Sequence, residues 1–99
     1  MKAIWEGVVI AESNETIVIE GNHYFPPEAV NKAYLIESLH TTTCPWKGEA
    51  SYFDIVTDAG MNKNAAWYYA APKATAIETV GRDFSHYVAF WKGVEVTPS

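Results

Sequence analysis

The feature that most restricts the fold of this chain is its punctuation. β-Branched and aromatic runs are short, and turn-forming residues cut them at Ser13-Asn14-Glu15, Gly21-Asn22, Pro26-Pro27, Asp58-Ala59-Gly60 and Pro72. Such runs, bounded by such residues, read as strands. Ile4 to Ala11 and Thr16 to Glu20 are expected to form a hairpin around Ser13-Asn14-Glu15, followed by a short extended piece at His23-Tyr24-Phe25. Pro26-Pro27 stops any strand, because proline cannot donate to a ladder. Proline suits a first helical turn and Glu28 its positive end, so Ala29 to Leu35 is expected to be a short helix with Val30, Ala33 and Tyr34 on one face. Glu37 to Thr43 reads as a loop.

Ala50 to Thr57 is the clearest central strand, with Phe53 and Ile55 on one face and Tyr52 and Val56 on the other. Asp58-Ala59-Gly60 turns it into a return strand, Asn64 to Tyr69. Ala74 to Val80 fits strand or helix, and Tyr87 to Trp91 and Val94 to Val96 read as strands. The expected fold is mainly β: a small curled antiparallel sheet or barrel-like domain with one short helix, residues 1–99 forming a single domain.

The chain also echoes itself. Ile4-Trp5-Glu6-Gly7-Val8-Val9-Ile10 resembles Phe90-Trp91-Lys92-Gly93-Val94-Glu95-Val96. Glycine within a strand often marks a bulge, and the echo suggests that the two ends lie side by side and help to close the sheet.

Several strands carry aromatics on both faces: Trp67 and Tyr69 against Tyr68, and Tyr87 and Trp91 against Phe90. A sheet with one solvated face alternates apolar with polar. Here either both faces are packed or one lines a cavity. Four Trp and six Tyr against four Phe favour a ligand cleft or an interface, since Trp and Tyr have a polar tip that needs a partner when buried.

Charge and cysteine use exclude several classes. The net charge is −5 and the seven basic residues are scattered, without the basic stripe expected of a nucleic-acid binder. No apolar run approaches the roughly 20 residues that span a bilayer, and Glu6-Gly7 interrupts the first residues as a signal peptide would not be interrupted. Cys44 is the only cysteine, so no internal disulfide can form, and a cytoplasmic location is expected.

The most unusual stretch is Thr43-Cys44-Pro45-Trp46-Lys47-Gly48. Pro45 stiffens the backbone after the thiol, Trp46 offers a flat surface, and Gly48 permits close approach. An ammonium from Lys47 beside the sulfur would favour the nucleophilic thiolate. A free cysteine is equally at home as a small buried apolar filler. His40, His23 and His86 are candidate bases, which only geometry can pair with Cys44. No metal-ligand spacing, Walker loop, dinucleotide fingerprint or nucleophile elbow occurs, so neither a metal nor a cofactor is expected.

His23-Tyr24-Phe25-Pro26-Pro27-Glu28, Thr43-Cys44-Pro45-Trp46-Lys47-Gly48-Glu49-Ala50-Ser51-Tyr52, Ala65-Ala66-Trp67-Tyr68-Tyr69 and Tyr87-Val88-Ala89-Phe90-Trp91-Lys92-Gly93-Val94 together resemble, in order, the domain-of-unknown-function family numbered 427. The resemblance implies a small, largely β protein with signature residues at Tyr24, Pro26, Cys44, Trp46, Lys47, Gly48, Tyr52, Trp67 and Tyr69. Ala70-Ala71-Pro72 departs from the family's usual Tyr-Tyr-Pro, so the loop after Tyr69 differs. The family carries a nucleotidyltransferase-like label, which implies a nucleotide-linked transferase, although no phosphate loop or carboxylate pair is visible. The residues themselves suggest an aromatic-lined pocket for a small anionic molecule. Tyr24, Thr43, Trp46, Gly48, Tyr52, Trp67 and Tyr69 are its candidate binding residues, and Cys44 and Lys47 its candidate catalytic ones. The other reading is an interaction module that uses the same aromatics to bind a peptide or a second copy in a homodimer.

Overall fold

Three consecutive strands in the middle of the chain build the sheet on which everything else is laid. The computed structural model describes residues 1–99. Its order is β1 (Lys2–Trp5), β2 (Val8–Glu12), β3 (Ile17–Ile19), β4 (Asn22–Tyr24), two 3₁₀ turns (Pro27–Ala29 and Lys32–Tyr34), β5 (Leu35–Cys44), β6 (Gly48–Thr57), β7 (Gly60–Tyr69), α1 (Ala74–Val80), β8 (Val88–Phe90) and β9 (Glu95–Thr97). The strands form three antiparallel sheets, β2-β1-β9, β3-β4 and β5-β6-β7-β8. The fold is mainly β with one short helix, as expected, and the sheets stay open rather than closing into a barrel.

The four-stranded sheet is packed on both faces, which accounts for its aromatics on both sides. Ile55, Ala66, Val88 and Phe90, with Phe53 and Tyr68 beside them, pack against Ala3, Ile10 and Ala11 of the β1–β2 hairpin. Ala50, Tyr69 and Ala89, with Tyr52 and Trp67, pack against Ile17, Ile19 and Tyr24 of the β3–β4 hairpin, Ala76 of α1 and Phe84. Tyr24, Phe25 and Phe84 are fully buried.

The echo at the two ends has a physical cause. Glu6-Gly7 and Lys92-Gly93 are the same turn, with φ of 49° and 76° in one and 55° and 83° in the other. Positive φ at both central residues defines the tight turn whose twist suits antiparallel strands, and glycine takes it without strain. Glu20-Gly21 repeats it between β3 and β4. The glycines therefore mark turns, not bulges. The two ends do lie side by side: β1 pairs with β9, with Ala3 opposite Val96.

Four other expectations are corrected. Ile4 to Ala11 is not one strand, because Glu6-Gly7 folds it into the β1–β2 hairpin. Ser13-Asn14-Glu15 therefore links two hairpins rather than closing one, and β3 pairs with β4. Ala29 to Leu35 is not an α-helix. Val30 bridges Ala11 in extended conformation and Asn31 N–H donates to the Ile10 carbonyl at 2.8 Å, which leaves only a 3₁₀ turn on either side. The helix is α1, closed by left-handed Gly81. Glu37 to Thr43 is not a loop but the middle of β5, an edge strand paired only with β6. Its His and Thr side chains are exposed, so a polar run gives no inward-facing pattern.

Candidate functional site

The Cys44–Gly48 segment is the turn between β5 and β6. Gly48 pairs with Cys44 in register, and its α-carbon faces the segment that leaves β7: a β-carbon there would sit 3.5 Å from the Ala71 carbonyl oxygen. Lys73 clamps this approach, donating its N–H to the Lys47 carbonyl at 2.9 Å and its ammonium to the Pro45 carbonyl at 2.6 Å. The close approach expected at Gly48 is thus to the chain's own backbone.

Lys47 is the one buried charged residue. Its ammonium pairs with the Glu20 carboxylate on the β3–β4 turn, and this is the chain's only ion pair. The same Nζ lies 5.4 Å from the ring centroids of both Trp46 and Tyr69, a cation–π arrangement. Burial is the largest single influence on the Lys47 pKa and pulls it down, but the hydrogen bond to Glu20 and the charge interactions with Tyr24, Tyr69 and Glu20 together outweigh it, and the net shift is upward. That hydrogen bond also holds the Glu20 carboxyl below the usual range. Burial raises Tyr24 and pushes Tyr69 up to about 12.

The structure brings most of the sequence-predicted site residues around one cluster. Tyr24 and Tyr69 are inside it, with Cys44, Trp46, Tyr52 and Trp67 on its margin. Thr43 stands apart, exposed on β5 opposite Glu49. Cys44 is half-buried and none of the three histidines bonds to it. His23 Nδ1 is 2.8 Å from Thr16 Oγ1, His40 lies against Tyr52 and His86 stacks on Tyr68. No group of three or more His, Cys, Asp or Glu side chains is gathered to hold a metal ion. No helix is long and apolar enough to cross a membrane.

The cluster is filled where Lys47 sits, and it opens elsewhere. A groove of about 190 Å³ is lined by Tyr52, Trp67 and Trp91 alone. Trp67 and Trp91 meet nearly at right angles, at 86°, with centroids 6.0 Å apart. Every polar tip of these rings is occupied within the chain. Trp67 Nε1 donates to the Tyr24 hydroxyl at 3.0 Å, Trp91 Nε1 donates to the Asn64 carbonyl at 2.6 Å, and the Tyr52 hydroxyl lies 3.0 Å from Thr42 Oγ1. Asn64 can offer its carbonyl because it adopts a left-handed φ of 57° where the β6–β7 ladder slips register. Its own N–H is taken by Asp54 Oδ1. Lys92 stands beside the groove with Nζ 5.4 Å from the Trp91 centroid and donates to the Lys63 carbonyl at 3.1 Å.

Trp91 was visible in the sequence echo but was read as the end of a strand, and Lys92 beside it was given no role. Glu20 carried no local signal, since it reaches Lys47 only when two turns meet.

Two comparisons bear on this chain. A family described as Domain of unknown function (DUF427) matches over residues 1–97. A comparison with curated proteins gives no match.

Proposed function

The chain belongs to the DUF427 family, and we propose that it binds a small, flat, negatively charged ring compound in the groove formed by Tyr52, Trp67 and Trp91. The observation that carries this reading is the groove's lining: three aromatic rings whose polar tips are already satisfied, so that only π surface faces a guest. Those internal hydrogen bonds also hold the rings in place before a ligand arrives, which lowers the ordering cost of binding. Lys92 supplies the charge for an anionic substituent, because Lys47 is committed to Glu20. Cys44 and Lys47 then support the wall of the groove rather than react.

Tryptophan fluorescence titration tests this with adenosine monophosphate as a flat anion, adenosine as its neutral counterpart and choline as a small cation. Quenching by the nucleotide that weakens with adenosine and disappears in Trp91→Ala supports the proposal. A response to choline alone, or equal quenching in Trp91→Ala, refutes it. This experiment also reports on the family's nucleotidyltransferase-like label, because a metal–nucleotide site should bind more tightly with added Mg²⁺, whereas a site that reads only the ring and its charge should not.

A second reading rests on β5. This ten-residue edge strand exposes Ile36 and fully exposes Leu39, with no lysine or proline to guard it. Such an edge suits pairing with a second copy or a peptide, and light scattering across a concentration series checks for the former.

A further inference from the structure

We propose a second binding site, separate from the aromatic groove, that takes a small organic amine in its cationic form with an apolar body. It is the largest cavity of the molecule, about 630 Å³, where the β1–β2 turn, the Lys32–Tyr34 turn and the β6–β7 turn converge. Val8, Ala33 and Val56 supply apolar lining, and Tyr34 adds an aromatic ring. Glu6 and Asp58 bring two carboxylates to the same cavity.

The ligand's charge follows from what these groups lack. The chain's one ion pair is Lys47–Glu20, so neither Glu6 nor Asp58 has a basic partner within 4.0 Å. No hydrogen bond within the chain engages either carboxylate or the Tyr34 hydroxyl, whereas Thr57 in the same lining is occupied by the Ala59 N–H. Two unpaired carboxylates around one cavity favour a cation. The Tyr34 ring reinforces that preference through its negative face.

The ligand's body follows from the lining. A bare metal ion would find only two carboxylates, with no third His, Cys, Asp or Glu gathered near them, and would gain nothing from Val8, Ala33 and Val56. A hydrocarbon or aromatic group attached to an ammonium uses both halves of the cavity: the apolar part leaves water and the charge stays beside the carboxylates.

Amide chemical shifts of isotope-labelled protein, titrated with phenethylammonium, provide the test. 2-Phenylethanol and phenylacetate serve as neutral and anionic counterparts. Saturable shifts of the Val8, Ala33 and Val56 amides are expected with phenethylammonium at about millimolar affinity. They should weaken about tenfold or more in the Glu6→Gln, Asp58→Asn double variant and fall with added salt. Both substituted side chains are exposed, and unchanged shifts in the β7–β8 ladder, away from both substitutions, will verify the fold. The inference is overturned if those amides show no saturable shift, if the double variant binds as the parent does, or if 2-phenylethanol binds as tightly as the amine.

Discussion

Replacing either partner of the Lys47–Glu20 pair should destabilise the protein by very different amounts, although the pair is the same. The side chain of Lys47 is 8% exposed and that of Glu20 55%. In Glu20→Gln the buried ammonium loses its counter-charge and cannot recover it from water. Breaking a fully buried pair costs about 3–5 kcal/mol, and an exposed pair is worth about 0.2–1 kcal/mol. With one partner at each extreme, the half-exposed carboxylate discounts the upper figure to about 1–2 kcal/mol. For a domain of this size that lowers Tm by roughly 5–15 °C. In Lys47→Met the outcome differs. The carboxylate left behind is solvated, the buried charge is gone, and the thioether can lie against Trp46 and Tyr69 for about 0.3–1.5 kcal/mol. That offsets most of the lost cation–π attraction, about 0.5–1 kcal/mol per ring, and leaves the variant within about 1 kcal/mol of the parent. Urea unfolding of the two variants measures the difference directly.

The pH dependence gives a second check on the same variant. Glu20 is depressed in the folded state, so its contribution is present above its unfolded value of 4.5 and fades as pH falls through the folded one. Lys47 is raised, so its contribution is present below its unfolded value of 10.5 and fades as pH rises through the folded one. The gap between parent and Glu20→Gln should therefore be widest between these limits and narrow towards either. A Lys47→Met variant less stable than Glu20→Gln, or a gap that persists unchanged in acid, would refute the reasoning.

Two further outcomes are expected. Gly7→Ala and Gly93→Ala should each cost about 1–2 kcal/mol in chemical denaturation, although a β-carbon at either site meets nothing within 4 Å, because the penalty lies in the left-handed backbone alone. Spectrophotometric titration should find a tyrosine ionising near 12, assigned to Tyr69 by its loss in Tyr69→Phe. Since that group is raised by folding, stability should decline as pH climbs from the unfolded value of 10.0 towards about 12.

How far the sequence reveals this fold depends on whether the signal is local. The Glu6-Gly7 and Lys92-Gly93 echo pointed to the pairing of the chain's two ends, although what it records is a shared turn type that favours glycine at its second central position. The β6–β7 hairpin was equally plain from its β-branched and aromatic runs on either side of Asp58-Ala59-Gly60. The edge strand β5 escaped notice because solvent on its outer side removes the alternation that marks a strand. A helix was expected over Ala29 to Leu35 because the start signal at Pro26-Pro27-Glu28 is strong, yet the Val30–Ala11 bridge overrides it. The true helix lacks a side-chain cap at Lys73 and so announces no beginning. The gathering of Tyr24, Trp46, Tyr52, Trp67 and Tyr69 could be read from their number and type. The partner of Lys47 could not, because Glu20 lies 27 residues away on another turn.

The antiparallel match of β1 with β9 sets Lys2 opposite Thr97, so the first and last residues emerge next to each other. A circularly permuted version is therefore within reach: a short flexible splice would join Ser99 to Met1, and new ends cut at the exposed Asp58-Ala59 turn would leave all three sheets intact. In such a rearrangement the β1–β9 ladder becomes a local hairpin, and the longest-range pairing of the natural chain turns into one of its shortest.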